Sequence, residues 1–158
     1  MKESLRTGIC FGTTSGIITT LGLIVGLHAG THSRLVIIGG ILTIAIADAF
    51  SDSLGIHVSE ESENKHTGRE LWESTACTFI AKFFFAMTFI APILVLELYT
   101  AIIVSVAWGL LILAGISYYV SRVGKEKPWK VVLEHLVIAM IVIAITHYVG
   151  DWIGMAFV

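Results

Sequence analysis

The chain has 158 residues, of which 56% are hydrophobic and 14% charged, with a formal net charge of −2. Soluble domains carry about 25% charged residues, so this chain has too little polar surface to stay dissolved as a monomer. A water-soluble enzyme and a disordered tail are excluded, and no basic surface for nucleic acid is implied. Cys10 and Cys77 lie far apart, in or beside apolar runs, which fits neither a disulfide framework nor a zinc spacing.

Five apolar runs follow one another. A spanning helix needs about 20 apolar residues, so five would use roughly 105 positions and leave short loops only. Backbone polar groups in lipid must be bonded internally, and the runs do not alternate as barrel strands do, so each is expected to be a helix. The expected architecture is all-α: residues 1–158 as one membrane domain of five transmembrane helices, with residues 59–73 as a short acidic cytosolic loop.

The first run, residues 8–27, lacks a clean small-residue cleavage site and reads as a retained span. Gly8, Gly12, Ser15, Thr19, Gly22 and Gly26 recur along it at steps of four and three, with Gly16 beside them. Such a face admits another helix closely. It fits plain packing inside one subunit, or the pairing of two first helices around a two-fold axis. Five helices enclose little space alone, so a homodimer through Gly8, Gly12, Gly16, Gly22 and Gly26 is expected.

The second run, residues 35–58, carries Asp48 and Asp52, whose i, i+4 spacing puts both carboxylates on one helix face. A carboxylate at the centre of a span costs about 3 kcal/mol on insertion scales. Paired carboxylates supply the oxygen ligands that hard divalent ions prefer. Without a cation both cannot stay ionised, so protons and metal would compete there. The bland alternative is that each is protonated or bonded to a Ser or Thr of the first span. Five Glu (Glu60, Glu61, Glu63, Glu70, Glu73) and two His (His57, His66) follow within seventeen residues. They form either a solvated loop or an inner mouth that concentrates cations.

The third run, residues 74–96, contains Lys82, which either snorkels to the interface or serves as counter-ion to Asp52. Pro92 lies near its far end. The fourth run covers residues 98–120. Pro128 precedes the fifth, residues 131–149 or beyond, where His147 and Asp151 stand i, i+4 as an exit site or an interfacial pair. Lys2, Arg6, Lys65, Arg69, Arg122, Lys125, Lys127 and Lys130 fall on alternate sides from the lone Arg34. This asymmetry places the N-terminus inside and the C-terminus outside. Trp72, Tyr118, Tyr119 and Trp129 then mark inner ends, and Tyr99, Tyr148 and Trp152 outer ends.

Four segments resemble the vacuolar iron transporter family of iron and manganese exporters. They are Ser15-Gly16-Ile17-Ile18-Thr19-Thr20-Leu21-Gly22; Ala47-Asp48-Ala49-Phe50-Ser51-Asp52-Ser53-Leu54-Gly55 followed by Ser62-Glu63; Phe89-Ile90-Ala91-Pro92; and His147-Tyr148-Val149-Gly150-Asp151-Trp152-Ile153-Gly154. The chain looks like a short prokaryotic-type member. The resemblance implies five spans, a dimer with first helices at the interface, and divalent metal movement in exchange for protons. Two positions depart from the family pattern. Its Asp before the first-span glycine is Ser15 here, and its Met one turn after Asp48 is Asp52. A thioether is soft and suits iron(II), whereas a carboxylate is harder, so manganese(II) or another hard ion becomes plausible. The family's long cytosolic insertion is absent, and of its acidic residues only Glu63 is motif-matched.

The expected function is export of Fe2+ or Mn2+ from the cytosol by proton antiport, in the cell membrane of a prokaryote. Glu60, Glu63, Glu70 and Glu73 would gather metal, and Asp48 and Asp52 would bind it and couple protons. Ser15, Thr19, Thr20 and Ser51 would line the path. No resident cofactor is expected, and the partners are the lipid bilayer, the metal ion, protons and a second copy. A non-transporting metal-binding or structural membrane protein is the alternative, and a passive cation channel a third. No nucleophile with a positioned base and no phosphate loop is present, so no enzyme is expected.

Overall fold

Among the described residues the five apolar runs become six helices, because one run is broken. The computed structural model describes residues 3–63 and 67–157. Lys2, Lys65 and His66 lie outside the described residues. The helices are α1 (Glu3–Thr31), α2 (Arg34–Glu63), α3 (Gly68–Thr88), α4 (Ile90–Val95), α5 (Leu98–Gly124) and α6 (Pro128–Phe157). α3 and α4 together make the third long apolar segment, so five are long and apolar enough to cross a membrane. The break has a local cause. Pro92 has no N–H to give the carbonyl of Thr88, so the ladder fails there. The Thr88 hydroxyl instead donates to the Phe85 carbonyl at 2.6 Å and accepts from the Trp108 indole at 3.2 Å.

The helices extend well past the apolar runs. α2 continues through Ser59–Glu63, and α3 begins at Gly68, so the expected acidic loop 59–73 is helical over most of its described residues. Thr67 starts α3 with a capping box. Its hydroxyl accepts from the Glu70 N–H, and Glu70 Oε2 accepts from the Thr67 N–H at 2.9 Å. At the other end of the bundle His32 takes a left-handed conformation (φ 50°), which turns the chain sharply from α1 into α2. Arg34 donates to the carbonyls of Leu94 and Leu96 at 3.2 and 2.7 Å and so closes the end of α4.

α1 is the central helix and packs against α2, α3, α5 and α6. Its Ile17, Leu21 and Ile24 join Ile37, Ile41, Phe89, Ile93 and Leu113 in the core. The glycine stripe makes this possible. Gly8 and Gly12 lie against the carbonyls of Ser74 and Thr78, and Gly16 lies against Lys82, all on α3. Gly22 and Gly26 lie against Val142 and Thr146 of α6. The expectation that these five glycines face a second copy therefore needs correcting. The close backbone approach they permit is used inside one chain, as packing by van der Waals contact in lipid requires.

Candidate functional site

The midpoints of three helices meet at one point. Asp48 and Asp52 project from the middle of α2 on the same face. Lys82 comes from the middle of the third apolar segment, and Ser15 from near the middle of α1. The lysine ammonium touches both carboxylates. It lies 2.5 Å from Asp48 Oδ2 and donates to Asp52 Oδ2. It also donates to the Ser15 hydroxyl at 2.8 Å, and that hydroxyl donates to Asp52 Oδ2 at 2.5 Å. The contact with Asp48 is an ion pair without hydrogen-bond alignment, and Asp48 Oδ2 has no hydrogen-bond partner.

Burial differs across the triad. The Lys82 side chain is 2% exposed, whereas those of Asp48 and Asp52 are 28% and 23% exposed. A lone ammonium in a low-dielectric interior is expensive, and two carboxylates around it offset that cost. One ammonium against two carboxylates still leaves one negative charge. Asp48 also lines a groove of about 600 Å³ between α1 and α2, with Thr19, Gly40, Thr43 and Ala47. The charged centre is thus open on its α2 side and closed on its α3 side.

Helix geometry sorts the other expected site residues. Thr19 lies one turn from Ser15, shares its face and lines the groove, with its hydroxyl bonded to the Ser15 carbonyl at 2.8 Å. Thr20 is turned about 140° from Ser15. It is fully buried, and its hydroxyl has no partner, so it does not reach the carboxylates. Ser51 is turned about 100° from Asp52. It lines a different groove, between α2 and α3, with Phe50, Leu54, His57, Trp72 and Phe79.

The acidic residues divide in the same way. Glu60 is 9% exposed and accepts from the Ser74 hydroxyl, so it belongs to the α2–α3 contact rather than to a solvated mouth. Glu70 closes the capping box, and Glu73 pairs with Arg69 at 3.0 Å. Glu73 also accepts from Ser4 at 3.4 Å. Glu63 ends α2, at the same end of the bundle. Among the described residues no three His, Cys, Asp or Glu side chains converge as a metal site. At the opposite end His147 Nε2 lies 3.4 Å from Asp151 Oδ2, with both side chains substantially exposed.

Lys82 partners both carboxylates, whereas the sequence offers snorkelling to the interface or pairing with Asp52 alone. Two mid-span carboxylates and one mid-span lysine were a visible signal for it. The register that joins them, α3 held to α1 by Gly8, Gly12 and Gly16, is not visible in spacing alone.

Residues 6–75 match the sequence model of the VIT family. The matched segment spans α1, α2 and the first turns of α3. It contains Ser15, Asp48, Asp52 and Glu60, and it stops before Lys82. No curated protein and no solved structure matches the chain.

Proposed function

We propose that this chain carries a divalent metal cation, Fe2+ or Mn2+, out of the cytosol in exchange for protons. The observation that carries the reading is the mid-membrane centre of Asp48, Asp52 and Ser15, which retains one negative charge after Lys82 is counted and opens into the α1–α2 groove. Buried charge of this kind in a span marks an ion path by default. The similarity of residues 6–75 to the VIT family supports the same reading. The oxygens available are hard donors and favour Mn2+ over softer ions.

Asp48 and Asp52 bind the metal and take up protons when it leaves. Glu63, Glu70 and Glu73 gather cations at the inner end, Glu60 being buried against Ser74, while Thr19 lines the groove leading away from Ser15 and the carboxylates. Orientation with that end in the cytosol is supported by Arg6, Arg69, Arg122, Lys125, Lys127 and Lys130 at that end, against Arg34 at the other.

A homodimer is part of the proposal, but its seam is on α2. Gly39, Thr43, Ala47, Ser51, Gly55 and Ser59 recur at steps of four and are all exposed along α2, with Thr43 and Ala47 at the α1–α2 groove and Ser51 at the α2–α3 groove. A side chain added at Gly39 or Gly55 meets nothing within 4 Å. Small and hydroxylated residues are what a second helix packs against in lipid. A second copy there would cover the partly exposed carboxylates and add oxygens to a centre with two carboxylates of its own.

The test is Mn2+ and Fe2+ flux into proteoliposomes with and without a proton gradient. Flux should follow the gradient and fall at least tenfold in Asp48→Asn and in Asp52→Ala. Normal flux in both variants removes these residues from the site, and flux indifferent to the gradient points to a passive channel. A second reading, a non-transporting metal-binding or structural protein, draws on Lys82, which already supplies the pair with an internal cation. Absence of flux together with calorimetric metal binding favours it.

A further inference from the structure

We propose that Lys82 is a tethered competitor of the transported ion: its ammonium occupies the place the metal must take, and metal binding drives it off. The inference rests on the reading of Asp48 and Asp52 as metal ligands. It begins from convergence. The ammonium touches Oδ2 of Asp48, Oδ2 of Asp52 and the Ser15 hydroxyl at once. These are three oxygens disposed around one cation. A small divalent ion bound to the same oxygens sits roughly 2.0–2.6 Å from each. Lys82 Nζ already stands 2.5 Å from Asp48 Oδ2. The two cations cannot share that space, and like charges at contact repel.

Charge balance gives the direction of the exchange. With Lys82 in place the centre carries one negative charge. A divalent ion cancels both carboxylates by itself, so it leaves the ammonium nothing to neutralise. The empty protein therefore keeps a cation of its own at mid-membrane, and this weakens the apparent affinity for metal and eases its release.

Gly16 lies against the Cα, the Cγ and the carbonyl of Lys82, so the base of the side chain is held between α1 and α3. Only the outer part of the chain, beyond Cγ, has to swing. Lys82 is thus a positioning and specificity residue rather than a ligand, and it lies outside the segment that matches the VIT family.

The experiment uses the full chain in detergent, with Mn2+ alone as probe and free Mn2+ read by electron paramagnetic resonance. Lys82→Met should bind Mn2+ at least tenfold more tightly than the wild type, and Asp52→Asn should lose binding. If Lys82→Met folds and binds no more tightly, while the wild type binds and Asp52→Asn does not, the competitor proposal fails and the site reading stands. Binding in no variant, or binding indifferent to Asp52→Asn, overturns both. If Lys82→Met does not fold, the wild type decides. Acetylation of Lys82, read by mass spectrometry, should rise severalfold on saturation with Mn2+. Unchanged or reduced labelling overturns the proposal.

Discussion

Gly16 and Lys82 share one space. A Cβ on Gly16 would stand 3.2 Å from Lys82 Cγ and 3.0 Å from the Lys82 carbonyl oxygen. The glycine therefore sets how deeply α3 sits on α1, and through that where the ammonium arrives. Gly16→Ala forces the two backbones apart, and overpacking of this kind costs about 1–3 kcal/mol. The better helix propensity of Ala returns at most about 1 kcal/mol. Gly39→Ala is the control, because nothing stands within 4 Å of the new methyl group. It should be neutral or stabilising by up to about 1 kcal/mol. Thermal unfolding of both variants in the same detergent checks the contrast; equal melting temperatures would show that the α1–α3 contact is loose.

The triad makes a second prediction, about charge rather than volume. Removing the lysine leaves two carboxylates facing each other with a net charge of −2. Breaking a buried pair in this way costs about 3–5 kcal/mol. Asp52→Asn added to Lys82→Met restores the net charge to the −1 of the wild type. The double variant should therefore be more stable than Lys82→Met alone, against the usual trend that a second lesion makes matters worse. A chemical-denaturation series on the wild type, both single variants and the double variant measures the coupling. Additive losses would mean that the three groups do not act as a unit.

These residues also show what the sequence could and could not convey. Five long apolar segments follow from length and lipid chemistry, and they are present. So is the shared face of Asp48 and Asp52, because i, i+4 spacing is a property of one helix. What fails are statements that need two helices. The glycine stripe of α1 was equally compatible with a partner chain and with α3 and α6. Glu60, one charge among many in an acidic stretch, turns out buried against Ser74. The capping box of Thr67 and Glu70 was legible as a Thr-x-x-Glu pattern before an apolar run. Its recognition would have assigned Glu70 a backbone role from the start. The break at Phe89 was likewise implicit in Pro92, although the sequence reading placed an unbroken span there.

The proposed seam on α2 is open to a direct test. Gly55 faces away from its own bundle, with nothing within 4 Å of the position a Cβ would take. Gly55→Leu should leave the single chain's packing intact but fill the space into which a second α2 would settle. Light scattering behind size-exclusion chromatography should then report half the wild-type protein mass, with little change in unfolding temperature at low protein concentration. A dimer that survives Gly55→Leu moves the interface elsewhere. A monomeric wild type removes it.

The last prediction concerns pH and lies outside the spans. Glu97 precedes α5 and accepts from the backbone N–H of Tyr99 and of Thr100, both at 3.3 Å. It is the N-cap of that helix. These two N–H groups hold its carboxyl below the usual carboxylate range; burial opposes them by less, and the Thr100 hydroxyl and the charge of Arg34 add still smaller effects in the lowering direction. The folded protein thus binds a proton at Glu97 less readily than the unfolded chain does. The carboxylate's contribution is present in full at neutral pH, above the ordinary value for the unfolded chain. It is lost as the pH falls through the depressed value of the folded state. Glu97→Gln removes the titrating group but keeps a side-chain oxygen for the cap. The melting-temperature gap between wild type and Glu97→Gln should therefore be widest near pH 7 and close as the solution is acidified below the carboxylate range. A gap that stays constant into acid would mean that the cap works through hydrogen bonding alone, and that the negative charge at the start of α5, which a helix N-terminus should favour, contributes nothing.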